Sequence, residues 1–224
     1  MNKKKYYLYE MNINTLNIVS LLIFILTMFL VVLVDKNFIK ISIDYLYTGT
    51  NFIIFLILYV FYMILHEILH SVAYVVCGAK YDKVTYGAAI EKGVLYCLCK
   101  QNITKKNILV SLMTPFTLIG IITLIVAFII KSPFLLFLSI FNISGCAGDI
   151  IMFAFITKLK DIEFSEFDDP IAFGLYSQEE LPKKVFGLKY IGSSDKLKRE
   201  DYTKINISKT SKIAFIILVI LLIT

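Results

Sequence analysis

Charge is scarce in this chain of 224 residues: 18% is Asp, Glu, Lys or Arg against 58% hydrophobic, and the mean hydropathy is +0.77. That balance excludes an ordinary soluble domain. Cysteine is scarce as well, with four residues, of which Cys77, Cys97 and Cys99 fall at or beyond the end of an apolar block. No disulfide framework is expected from them, and Cys97 and Cys99, which share one face of an expected strand, read as strand residues because no second pair completes a metal site. Internal repeats, a phosphate-binding glycine loop and a separate basic domain are all missing. The net charge of +6 is divided among the segments between apolar blocks, so no nucleic-acid partner is expected. A cleaved secretory signal is not expected either, since the first apolar run is too long and Val31-Val32-Leu33-Val34-Asp35 offers no small-residue cleavage site.

What the chain does have is long hydrophobic runs, at residues 17–34, 51–77, 107–130 and 133–157. Each is close to or above the ~20 residues that cross ~30 Å of hydrocarbon as a helix. Four transmembrane helices follow, with residues 213–224 as a possible, incomplete fifth. Lysine and arginine then orient the chain. The N-terminus carries Lys3, Lys4 and Lys5, the 78–106 loop carries six lysines against two acids, and residues 158–212 carry eleven basic residues, whereas Lys131 stands alone between spans three and four. The positive-inside rule places the N-terminus, that loop and the tail in the cytoplasm of a multi-pass cell-membrane protein.

Within the four spans the only charged or histidine residues are His66, Glu67, His70 and Asp149. An ionisable group at membrane depth is costly unless paired or ligated, so a cluster of four is a functional hypothesis by default. Its pattern is specific. The chain's two histidines stand four apart with a glutamate after the first, His66-Glu67-Ile68-Leu69-His70. On a helix, positions i and i+4 share a face, so both imidazoles reach one Zn2+ while Glu67, roughly 100° around, addresses a water beside it as general base. A hydrogen-bonded polar patch between helices is the plainer alternative.

Catalytic zinc wants three protein ligands and an open position. Asp149 is the only other carboxylate at membrane depth, and at ~1.5 Å per residue all three candidates lie ~10–17 Å inside the same face. Cys146, three residues earlier, is an alternative metal ligand. Asn142 could hold a substrate carbonyl or orient a ligand as a second-layer group, and Ser144, Gly145 and Gly148 make the stretch unusually small and polar, which allows close helix approach. Pro115 is expected to kink or loosen span three.

These residues carry a family resemblance. His-Glu-x-x-His on one span, an intervening span and an aspartate on the next resembles the site-2 protease type of intramembrane zinc metalloproteases, over about residues 51–157. Gly148 precedes Asp149, where that class has the glycine after its aspartate. The Gly-Asp form is similar to the membrane zincin peptidase family known as domain of unknown function 3267. The resemblance implies a zinc-dependent intramembrane peptidase that hydrolyses peptide bonds of transmembrane or membrane-associated protein substrates near the cytoplasmic face.

Two further expectations complete the reading. Val84–Ile90 and Val94–Lys100 read as a hairpin about Glu91-Lys92-Gly93, whose open edge could bind an extended substrate. The 158–212 tail reads as solvated and partly ordered, with strands at 173–176 and 185–191. The expected architecture is therefore an all-α polytopic membrane protein: an anchor span and external loop (1–50), a three-span zinc metalloprotease core (51–157) with a small cytoplasmic hairpin (84–100), a cytoplasmic tail (158–212) and a possible partial span (213–224). A transporter using the same four groups as an ion or proton path, and a pseudoenzyme that binds a membrane partner without cutting, are the rival readings.

Overall fold

The computed structural model describes residues 4–35, 41, 49–89, 94–166 and 171–194. The first membrane-length helix, α1, runs Ile13–Val34, capped by Asn12, whose side chain accepts from Thr15 N–H at 3.1 Å. The second, α2, runs Gly49–Val76. The third begins as α3 (Lys105–Pro115), widens into a π-helical stretch at Phe116–Ile122 and continues as α4 (Thr123–Ile130). The loosening expected at Pro115 takes this form: the ring removes one N–H, and the turns that follow are wider than α-helical.

The fourth run is not one straight span. It is a pair, α5 (Pro133–Gly145) and α6 (Ala147–Thr157), bent by 45° at the break. Three helices are thus long and apolar enough to cross a membrane, and the bent pair makes a fourth if it counts as one span. These helices are consistent with a membrane protein. The run at 213–224 lies outside the described residues, as does the turn at 91–93.

The expectation of an all-α fold is wrong. Eight strands are present among the described residues: β1 Lys5–Met11, β2 Val84–Ala89, β3 Val94–Cys99, β4 Ile103–Thr104, β5 Ile162–Glu166, β6 Ala172–Ser177, β7 Lys184–Val185 and β8 Leu188–Ser194. Strands β2 and β3 form a hairpin, and the others form one antiparallel sheet in the order β4-β5-β6-β1-β8-β7. All lie at one end of the helical bundle, because each precedes α1 or α3 or follows α2 or α6. Much of the tail expected to be solvated is folded into this sheet. Its centre is β1, which pairs with β6 from Lys5↔Ser177 to Glu10↔Ala172 and with β8 on its other side.

Alternation along β1 explains its place. Tyr7 and Tyr9 pack with Phe155 and Ile156 of α6 and with Phe164, Phe173 and Leu175 of the sheet, while Tyr6 and Leu8 point the other way, towards Ala172 and Tyr176. The Tyr9 ring lies 5.0 Å from that of Phe155, its hydroxyl donates to the Pro182 carbonyl at 2.9 Å, and burial first, then neighbouring tyrosines, push its pKa up. Two glycines set close approaches: a Cβ on Gly174 would stand 2.0 Å from the Tyr6 hydroxyl, and one on Gly87 2.3 Å from the Tyr96 ring. Sheet and bundle are also stitched by Lys105, whose ammonium donates to the Thr157 carbonyl at 3.1 Å and to that of Leu159, at the negative end of α6.

Candidate metal centre

Helix α2 packs against α3 and α5, and α1 packs against α5 and α6. The polar residues of the apolar bundle meet where these helices converge. His66 and His70 stand one turn apart on α2. Asp149 sits in the first turn of α6, where the helix dipole favours a carboxylate, and the bend at Cys146 brings that turn to the histidines. His66 Nε2 lies 3.3 Å from Asp149 Oδ2, His70 Nε2 lies 3.5 Å from Asp149 Oδ1, and the two Nε2 atoms are 3.1 Å apart. Their side chains are 9–16% exposed, so the charge of the carboxylate is largely withdrawn from water.

Proton positions follow from the opposite ring nitrogens. His70 Nδ1 is 3.0 Å from the Ser111 carbonyl, which can only accept, so Nδ1 carries the proton. His66 Nδ1 is 3.0 Å from Asn142 Oδ1, and the Asn142 amide is oriented by its Nδ2, which donates to the Pro115 carbonyl at 3.3 Å. The oxygen therefore faces the imidazole, and here too Nδ1 is the donor. With both rings neutral, each Nε2 is a lone pair facing the carboxylate. Two lone pairs and a carboxylate converge on one point, and such an arrangement repels itself unless a proton or a metal cation lies between.

The spacing identifies the cation's geometry. Ligand atoms ~2.0–2.1 Å from a tetrahedral zinc stand ~3.3–3.4 Å from one another. The 3.1 Å between the Nε2 atoms, and the 3.3 and 3.5 Å from each of them to a different oxygen of Asp149, lie near that edge, and these residues form a group that can hold a metal ion. The donor set fits Zn2+: two imidazoles, one carboxylate, each imidazole oriented by a hydrogen bond from its far nitrogen.

Glu67, one residue on from His66, turns from the ligand pair towards the hairpin, and the backbone of Cys97 in β3 hydrogen-bonds its carboxylate. The hairpin is itself tied to α2 by Tyr86, whose hydroxyl donates to Ser71 Oγ and whose pKa is raised by burial. Cys146 is buried, but its sulfur lies 4.0 Å from Nδ1 of His66, on the side of the ring away from Asp149. Cys97 and Cys99 are buried in the hydrophobic core. Of the small residues, Gly148 makes a close approach, since a Cβ there would meet the Met11 sulfur at 3.3 Å, whereas one on Gly145 would meet nothing within 4 Å. Gly145 instead lines a cavity of about 380 Å³ that contains the metal ligands and is walled by α1, α2, β3 and the α5–α6 bend.

Two groups that hold the site are invisible to side-chain reasoning, namely the Ser111 carbonyl behind His70 and the Cys97 backbone beside Glu67. Any residue type supplies them, so no signal in the sequence marks them. No curated protein and no solved structure matches the chain. Residues 58–162, which contain both histidines, Glu67, the hairpin and Asp149, match the family described as "Putative zincin peptidase".

Proposed function

We propose that the protein is a zinc-dependent peptidase of the membrane, which hydrolyses peptide bonds of transmembrane or membrane-associated proteins near the cytoplasmic face. One observation carries the reading: two imidazole nitrogens and the carboxylate of Asp149 converge as a group that can hold a metal ion, beside a second carboxylate held by a strand backbone. His66, His70 and Asp149 would hold the ion, and zinc bound there supplies a Lewis acid that polarises a carbonyl and makes water a better nucleophile. Glu67 takes a proton from the attacking water as its oxygen bonds to the carbonyl carbon, then gives that proton to the amide nitrogen as the C–N bond breaks. The hydrogen bond from Cys97 keeps this carboxylate aimed into the cavity.

Strand β3 supports the choice of an extended substrate. Among the described residues it pairs with β2 alone, and Val94–Leu98 line the cavity. A peptide laid along that edge would present its carbonyls at the site, whereas a helical peptide keeps them hydrogen-bonded and shielded. The cavity is also lined by Leu16, Asn17 and Ser20 of α1 and Tyr59, Tyr62 and Met63 of α2, a route by which a membrane segment reaches the site sideways.

The direct test is metal analysis with cleavage in vesicles. Wild type should hold about one zinc per chain, His66→Ala should lose it, and cleavage of a membrane-protein substrate should stop on chelation and return with zinc. Cleavage that persists in metal-free protein would overturn the assignment. The positive-inside count orients the sheet and hairpin into the cytoplasm. In a background without native cysteines, Lys83→Cys should then be shielded from an impermeant reagent in intact cells while Lys131→Cys reacts, and the reverse pattern would invert the topology.

A further inference from the structure

The turn between β7 and β8 is out of place for a water-facing hairpin. It consists of Phe186 and Gly187, and Phe186 is 73% exposed. Its neighbours belong to membrane helices. The Gly187 carbonyl accepts from the backbone N–H of Asn12, the capping residue of α1, at 2.9 Å. Gly187 adopts φ +75°, and a Cβ there would stand 3.0 Å from the Ile151 side chain. Ile151 lies six residues before the end of α6, so the turn reaches ~9 Å along a membrane helix from its sheet-side end. An aromatic side chain exposed at that level meets the boundary between headgroups and acyl chains.

The charges around it point the same way. Lys184 and Lys189 are paired directly across β7 and β8, a like-charge arrangement that disfavours the hairpin unless an anion relieves it. Lys189 lies 3.9 Å from Glu10, but Lys183 and Lys184 make no ion pair among the described residues, and all three lysines are exposed. We propose that this turn is a lipid anchor: Phe186 inserts at the membrane boundary, and Lys183, Lys184 and Lys189 engage anionic phospholipid headgroups of the same leaflet. The anchor fixes the sheet against the bilayer beside the α1–α6 contact, independently of the chemistry at the metal centre.

The chain contains no tryptophan, so Phe186→Trp introduces a sole tryptophan at an exposed position, whose emission is excited selectively at wavelengths that tyrosine does not absorb. The full chain would be reconstituted into phosphatidylcholine vesicles with and without phosphatidylglycerol, and quenching by bromine-labelled acyl chains compared with quenching by acrylamide. The expected result is strong quenching by the brominated lipid, and acrylamide quenching several-fold weaker than for Glu180→Trp, the reference on an exposed loop. Phosphatidylglycerol should increase the lipid quenching, and adding Lys183→Gln with Lys184→Gln should remove that increase. Acrylamide access equal to the reference would overturn the proposal by placing the turn in water. Shielding from both quenchers would overturn it by placing protein, such as the chain beyond residue 194, over Phe186. Lipid quenching indifferent to phosphatidylglycerol would refute the headgroup contact. Unchanged circular dichroism of the variants excludes misfolding as the source of any of these results.

Discussion

Glu67→Gln is expected to keep about one zinc per chain and to lower cleavage of a membrane-protein substrate by at least ~100-fold, the lower bound for removing a positioned general base. The amide is nearly isosteric with the carboxylate and can still accept from the Cys97 backbone, so the residue stays in place. It has lost only the ability to take and return a proton. The three ligand atoms belong to other residues, which is why metal content should not follow activity. The same variant separates the rival readings. A transporter would show Glu67-dependent proton or metal flux in vesicles with no peptide cut, and a partner-binding pseudoenzyme would show neither flux nor cleavage in the wild type. Cleavage by the variant at the wild-type rate would end the peptidase reading.

The site was legible because its strongest signal is local. A helix carries His66 to His70 in one turn whatever surrounds it, and the apolar run around them has no other charged or histidine residue. Counting residues from the sheet-side ends of the second and fourth runs also matched the depth of Asp149 to theirs. The break at Cys146 has no distinct signal in the sequence, because Ser144-Gly145-Cys146-Ala147-Gly148 reads equally as a helix packed closely on its neighbour. Of its two glycines only Gly148 has that role, and the bend turns the start of α6 towards α2.

The sheet was missed for a different reason. Lys5–Met11 is the central strand, flanked on both sides and buried on both faces at Tyr6–Tyr9, so it lacks the apolar–polar alternation that marks a half-exposed strand. Its partners lie about 170 positions away in sequence, as in Lys5↔Ser177, and nothing local specifies such a pairing. Residues 173–176, an expected strand, lie within β6. The expected strand at 185–191 is in fact the end of β7, the Phe186–Gly187 turn and the start of β8. A glycine at φ +75° splits it, which a run of apolar residues conceals.

Replacing the third ligand should have an effect as large as removing the base, and it distinguishes Asp149 from Cys146. The two are three residues apart, but they face opposite sides of His66. Asp149 oxygens lie 3.3 Å and 3.5 Å from the two Nε2 atoms that carry the free lone pairs, whereas the Cys146 sulfur lies 4.0 Å from Nδ1, the nitrogen engaged by Asn142. An ion held by the Nε2 atoms is therefore out of reach of the thiol without turning the ring and breaking that hydrogen bond. Asp149→Asn should abolish cleavage and weaken zinc binding by more than ~100-fold, beyond the ~10–100-fold that follows loss of a partner one step removed from the metal, such as Asn142. Cys146→Ala should retain zinc and activity, since it removes one buried sulfur and no ligand. X-ray absorption on the zinc protein reads the ligand atoms directly: neighbours only at ~2.0–2.2 Å agree with nitrogen and oxygen from His66, His70 and Asp149, whereas a neighbour near ~2.3 Å is sulfur and would transfer the ligand role to Cys146.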